Sequence, residues 1–164
     1  MPQAEVERIV LALSVAGDKF WLDGGWGVDA LMEKQTRNHK DLDMCVDIRD
    51  IGQIKSVLEA LRYRISKDES PTRVIMKHGN SHRVDIHLLE LDEEGNGKQK
   101  YSAGFHLYPS EDLTDKGLID KYVVSCLSPR LQVKFREAYK PDVKSRHDVK
   151  ALLHKYKNIN TTII

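Results

Sequence analysis

The chain has 164 residues, 40% hydrophobic and 31% charged, a balance that suits one compact globular unit and excludes a disordered or low-complexity protein. Its 26 basic and 25 acidic residues leave a net charge of +1, so there is no general attraction for nucleic acid or an anionic membrane. Two cysteines cannot build a disulfide scaffold, no apolar run approaches the ~20 residues that span a bilayer, and the N-terminus lacks a signal-peptide layout. The chain is therefore expected to be cytoplasmic. In chain order, Val6, Ile9, Val10 and Leu13 repeat at helical spacing from about Ala4 to Ala16, with Gly17 as the stop. Phe20-Trp21-Leu22 reads as a buried strand entering the pair Gly24-Gly25, and Trp26 to Glu33 returns to helical spacing, with both tryptophans expected in the core. Asp41 to Asp47 alternates with period two, a strand with two distinct faces.

A helix follows from about Ile51 to Leu61. Strands are expected at Arg62 to Ser66, Arg73 to Lys77 and His82 to Leu91, separated by Ser70-Pro71 and Gly79-Asn80-Ser81, with a hairpin tip at Asp92 to Gly97. Between Tyr101 and Ser125 the pattern is weak, giving only short strands near Gly104–Leu107 and Val123–Cys126. Ser128-Pro129 has the chemistry of an N-cap and first helical position, opening a helix to about Tyr139, and a second runs from Asp142 to Lys155. This order predicts an α+β (mixed α/β) domain with an antiparallel-rich sheet flanked by helices. Residues 1–127 would form the core and 128–164 a C-terminal helical hairpin packed on it.

The chemistry is concentrated in two strands. Asp41 and Asp43 share a strand face, roughly 6–7 Å apart at their Cα atoms, while Leu42, Met44 and Val46 face the core and fix the register. Like charges held together favour proton uptake unless a cation compensates, and Mg²⁺ is the oxygen-preferring ion that uses one or two carboxylates plus substrate phosphates. Asp85 and His87 share a face of a second alternating strand, and if the two strands are neighbours three carboxylates converge. Gly24-Gly25, between a strand and a helix, offers free backbone N–H groups to an anion, and Arg37 and His39 have the character to grip phosphate. Asp23 and Asp29 suit capping of the glycine turn, and Cys45 suits the core. His87 suits either a catalytic role or a hydrogen-bond partner to the acids. Tyr139, His147 and Asp148 suit hinge packing or the cleft wall.

Together, Leu22-Asp23-Gly24-Gly25-Trp26-Gly27-Val28-Asp29 followed by Arg37-Asn38-His39-Lys40-Asp41-Leu42-Asp43 resembles the signature of polymerase-β-type nucleotidyltransferases. The Gly-Gly-Trp-Gly-Val-Asp and Arg-x-His-x-Asp-x-Asp runs, with Asp85-Ile86-His87, resemble the small lincosamide nucleotidyltransferases and, less closely, the aminoglycoside 2″-adenylyltransferases. The resemblance implies a nucleotidyltransferase fold and transfer of a nucleoside monophosphate, AMP first, from an NTP to an acceptor hydroxyl. It implies Asp41 and Asp43 as Mg²⁺ ligands, Asp85 as further ligand or general base, a two-metal site, and Gly24, Gly25, Arg37 and His39 as triphosphate contacts. From about Tyr63 to Asp120 the match is too loose to carry over acceptor-binding residues. A lincosamide is the first acceptor expected, an aminoglycoside the second. A protein or RNA acceptor and a non-catalytic nucleotide-binding module are the alternatives, and a homodimer is left open. Near-zero net charge speaks against nucleic acid, and no membrane partner is expected.

Overall fold

The computed structural model describes residues 1–138, 140 and 142–159. Helix α1 (Gln3–Val15) buries Val6, Ile9, Val10 and Leu13, the stripe that its spacing dictates. It ends where Gly17 takes φ +78° and the Asp18 N–H donates back to the Leu13 carbonyl at 3.0 Å, closing off the last turn. Strand β1 (Trp21–Asp23) runs directly into α2 (Gly24–Met32), and β2 (Leu42–Asp47) leads through a 3₁₀ turn (Ile48–Asp50) to α3 (Ile51–Ala60). Then come β3 (Arg64–Glu69), β4 (Arg73–His78), β5 (His82–Leu91), β6 (Gly97–Tyr101) and β7 (Gly104–Tyr108). A 3₁₀ turn (Ser110–Leu113), the hairpin β8 (Lys116–Ile119) and β9 (Tyr122–Ser125), and helices α4 (Pro129–Glu137) and α5 (Val143–Lys155) complete the described chain.

The main sheet has the order β1-β2-β5-β4-β3, with β6 and then β7 extending from β5. Its pairings are antiparallel except for β2 and β5, which run parallel, so the expected mixed, antiparallel-rich sheet is present. That one parallel pair exists because α3 and the β3–β4 hairpin carry the chain back to the same end of the sheet before β5 begins. On one side Leu42, Met44 and Val46 join Val84, Ile86 and Leu88, together with α1, α2 and α3, in the main core. On the other, Cys45 packs with Leu89, Tyr108, Leu113, Leu127 and Leu131 in a smaller core under α4. Cys45 is thus the buried free thiol its alternation implies, and burial pushes its thiol well above its usual range.

Strands β6 and β8 go beyond the sequence expectation. Strand β6 is made of Gly, Lys, Gln and Tyr with only Gly97 and Gln99 turned inward, and β8 is only four residues long with two apolar ones, so the hydrophobic signal is faint. Strand β3 begins at Arg64 rather than Arg62, because Arg62 takes φ +66° at the end of α3 and Tyr63 plugs the core. At the C-terminal end Ser128 caps α4 by accepting from the Leu131 N–H at 3.0 Å, and Asp142 caps α5 by accepting from Ser145 at 2.7 Å. Tyr139 and the last five residues of the expected C-terminal segment lie outside the described residues. Among the described residues no helix is long and apolar enough to cross a membrane.

Candidate active site

Register brings the acids together. In the β1–β2 ladder Asp23 pairs with Asp43, and in the β2–β5 ladder Asp43 pairs with Asp85, so three aspartates stand in one row across adjacent strands. Neighbouring strands lie about 4.8 Å apart, close enough for their carboxylates to repel. Asp41, just ahead of β2, adds a fourth charge. The consequence is largest at Asp43, where burial, then Asp41, Asp23 and Asp85, push the carboxyl up to about 8 from its ordinary 3.8. Arg83 works in the other direction. Its guanidinium contacts Asp41 at 3.5 Å and also holds Asp85 Oδ2, which Arg73 reaches at 3.3 Å. Asp85 Oδ1 is buried with no hydrogen-bond partner. An all-oxygen donor set, a row of carboxylates that Arg83 and Arg73 offset only in part, and an orphaned carboxylate oxygen fit a hard divalent cation.

The glycine pair is fitted to this row. Asp23 caps α2 by accepting from the Gly24 N–H at 2.6 Å, the role its position suggests. Gly24 sits at φ +59°, and a Cβ there would fall 2.1 Å from Asp43 Oδ2. Only glycine lets the backbone take that conformation and rest against the carboxylate. A Cβ on Gly25 would lie 2.0 Å from His39 Nδ1 and 2.8 Å from an Arg37 nitrogen. The positive end of α2 therefore abuts Asp43, an arrangement suited to receiving an anion.

Arg37 and His39, the expected phosphate contacts, lie against the glycine turn and are held there by partners within the protein. Arg37 forks onto Asp148 of α5, with its Nε and Nη2 each 2.7 Å from a carboxylate oxygen, and that pairing raises its pKa further. Its Nη1 lies 2.9 Å from His39 Nδ1, while His39 Nε2 lies 2.5 Å from Asp29 Oδ2. Arginine only donates, so Nδ1 accepts and the ring proton resides on Nε2, directed at Asp29. Asp29 is not a cap of the glycine turn. One turn into α2, it instead fastens the returning loop by accepting from the Thr36 N–H (3.0 Å) and hydroxyl (2.6 Å).

Beside the acid row opens a cavity of about 610 Å³, lined by Asp23, Arg73, His87, Gln99, Lys100, Tyr101, His106, Tyr108 and Phe135 among others. Tyr101 stacks on His106 at 4.4 Å, and Phe135 meets His106 and Tyr108 edge-on. The Gln99 amide donates to the Thr72 carbonyl and to His87 Nδ1 (3.1 and 2.8 Å) and accepts from Tyr108 Oη at 2.8 Å. His87 is thus held by hydrogen bonding, with its Nδ1 as acceptor. Of the remaining candidates, Asp148 is buried, His147 is exposed, and Trp26 is in the core. Trp21 is only half-buried on edge strand β1, where its indole N–H donates to the Leu113 carbonyl at 2.6 Å. Arg83 went unnoticed in the sequence, although it shares the alternating face with Asp85 and His87. The cavity's aromatic residues had no detectable signal, since β6 and β7 bring them together only in the folded chain.

A glycine turn at a helix N-terminus set against carboxylates on adjacent strands, in a mixed sheet flanked by helices, defines a nucleotidyltransferase. The model of the aminoglycoside-2″-adenylyltransferase family matches residues 5–152, and the chain belongs to that family. It is 31% identical to the lincosamide resistance protein of Staphylococcus haemolyticus over 134 residues, covering 81% of this chain and 83% of that protein. The lincomycin-bound crystal structure of the lincosamide antibiotic adenylyltransferase LnuA superposes with a TM-score of 0.81 at 28% identity, covering 98% and 99% of the two chains. ANT(2″)-Ia in complex with adenylyl-2″-tobramycin shares the fold, with a TM-score of 0.71 at 17% identity over 93% and 88%.

Proposed function

We propose that this chain transfers AMP from Mg²⁺-bound ATP to a hydroxyl group of a lincosamide. The observation that carries the chemistry is the pairing of Asp43 with Asp85 beside the Gly24 turn. In this reading Asp41 and Asp43 hold the cation, and the Gly24-Gly25 turn at the α2 N-terminus lets the triphosphate approach closely, with the Gly24 N–H itself held by Asp23. Mg²⁺, when bound, neutralises phosphate charge. Asp85 offers Oδ1 either as a further ligand or as acceptor of the hydroxyl proton. The acceptor oxygen forms a bond to the α-phosphorus, the bond to the bridging oxygen of pyrophosphate breaks, and pyrophosphate leaves. Arg37 and His39 support the turn from beneath in this scheme, in place of the direct phosphate contacts first expected.

The cavity favours the lincosamide over the aminoglycoside. An aminoglycoside is a polycation and calls for an acidic wall, whereas here Asp23 and Glu69 are balanced by Arg73 and Lys100, and Tyr101, His106, Tyr108 and Phe135 offer aromatic surface. Relatedness to the lincosamide resistance protein over most of both chains points the same way. The test is pyrophosphate release with ATP and Mg²⁺ against lincomycin, clindamycin, tobramycin and kanamycin. Turnover with lincosamides alone is expected. Turnover only with aminoglycosides would replace the acceptor, and labelling of tRNA or cell protein alone by [α-³²P]ATP would remove the antibiotic altogether.

A further inference from the structure

Away from the acid row, the fold gathers a second set of metal-ligating side chains. His78 closes β4 and His82 opens β5, and the two are paired in register across the turn at Gly79-Asn80-Ser81. Residues directly opposite on an antiparallel pair present their side chains on one face. The two rings lie 5.9 Å apart at their centroids. Glu5, from the first turn of α1, brings its Oε1 to 3.8 Å from His82 Nδ1. One ligand atom from each of the three residues falls within 4.8 Å of the other two.

The Nδ1 atoms of both histidines are shielded from water and have no hydrogen-bond partner. Buried imidazole nitrogens ordinarily find one, and His82 Nδ1 instead faces the Glu5 carboxylate at 3.8 Å. Glu5 is kept anionic: burial works against its charge, but hydrogen bonds from Arg8 and Tyr63 outweigh it and hold the carboxyl below its usual value. Two imidazoles and a carboxylate form a mixed nitrogen and oxygen donor set, which suits zinc, nickel or cobalt better than magnesium.

We propose that Glu5, His78 and His82 form a transition-metal site, with zinc as the reference ion, separate from the carboxylates of the active site. Ligands at zinc distances around a tetrahedral centre lie about 3.4 Å apart. The observed span of up to 4.8 Å closes by small rotations of three partly exposed side chains. The Tyr63 hydroxyl, which donates to Glu5 Oε1 at 2.7 Å, orients the carboxylate from behind, and its ring lies 5.5 Å from that of His78. Arg8, at the surface, retains its contact with Oε2 at 3.0 Å while its second nitrogen yields Oε1 to the ion. The ion would tie α1 to the β4–β5 hairpin. This inference does not depend on the acceptor.

The test is titration of the chelator-stripped full chain with Co²⁺, with Mg²⁺ in large excess to occupy the carboxylates. Expected are one bound equivalent with visible absorption, displacement by Zn²⁺, and a higher melting temperature. The double variant His78→Gln, His82→Gln should bind at least about 10-fold more weakly while keeping its Mg²⁺-dependent turnover. A second readout needs no variant: on Zn²⁺ addition the ring ¹⁵N signals of His78 and His82 should shift, while those of His39 and His87 stay in place. Absence of Co²⁺ binding under excess Mg²⁺, undiminished affinity in the double variant, or shifts at His87 instead would each overturn the site.

Discussion

Replacing Gly24 by alanine tests how closely the glycine turn governs the acid row. The new Cβ would sit 2.1 Å from Asp43 Oδ2 and 2.8 Å from its Cγ, at φ +59°. Left-handed backbone costs a Cβ-bearing residue about 1–2 kcal/mol. For a chain of this size each kcal/mol lowers the melting temperature by about 2–4 °C, so thermal unfolding should show a modest fall with the fold retained. The effect on catalysis should be much larger, because Asp43 has to retreat by roughly 1 Å to reach ordinary contact distance, and a displacement of that size costs about 100-fold in rate. Pyrophosphate release at saturating ATP, with Mg²⁺ titrated, reads both the rate and the cation requirement. Turnover within a factor of about 3 of the parent would refute the reasoning, since the carboxylate position would then be irrelevant to the chemistry.

Asp43→Asn should abolish turnover without unfolding the chain, and circular dichroism beside the pyrophosphate assay checks both halves. Stability should also depend on pH through this residue. The folded chain holds the Asp43 proton up to about 8, whereas an ordinary carboxyl releases it near 3.8, so stability should fall as pH rises through that window. Thermal melts from pH 4 to 8 should show this fall without Mg²⁺, and it should diminish in the asparagine variant or with Mg²⁺ added. Asp148→Ala removes the buried partner of Arg37 and Arg136 and should cost about 3 kcal/mol in denaturant unfolding, the low end for a buried pair because Arg37 keeps some access to water. Gln99→Leu releases His87 Nδ1 and should raise the acceptor KM about 5-fold with the ATP KM unchanged, the effect of one hydrogen bond.

Much of the architecture is legible in local patterns. The stripe Val6, Ile9, Val10, Leu13 specifies a helix, and the alternation through Asp43 and Asp85 specifies two strands whose apolar faces leave little choice of register. Their adjacency is not legible, because spacing along the chain contains no information about which strands pair. The protein partners of Arg37 and His39 are not legible for a related reason. A basic pair ahead of two acids suits phosphate, but its actual partners, Asp148 and Asp29, lie 111 and 10 residues away and become apparent only once α5 packs against α2. Strand β6 escaped notice because a strand of Lys and Gln has almost no hydrophobic period, although its Gln99 fixes His87.

The parallel pairing of β2 with β5 has a further consequence for biogenesis. Asp43 and Asp85 are 42 residues apart in the chain, and everything between them must fold back before they can meet. A ribosome-bound or truncated product that ends short of β5 holds the glycine turn but only part of the acid row, and closing so long a loop is slow compared with forming α1 or α3. The full row of Asp23, Asp43 and Asp85 therefore exists only in chains that have already completed the central sheet.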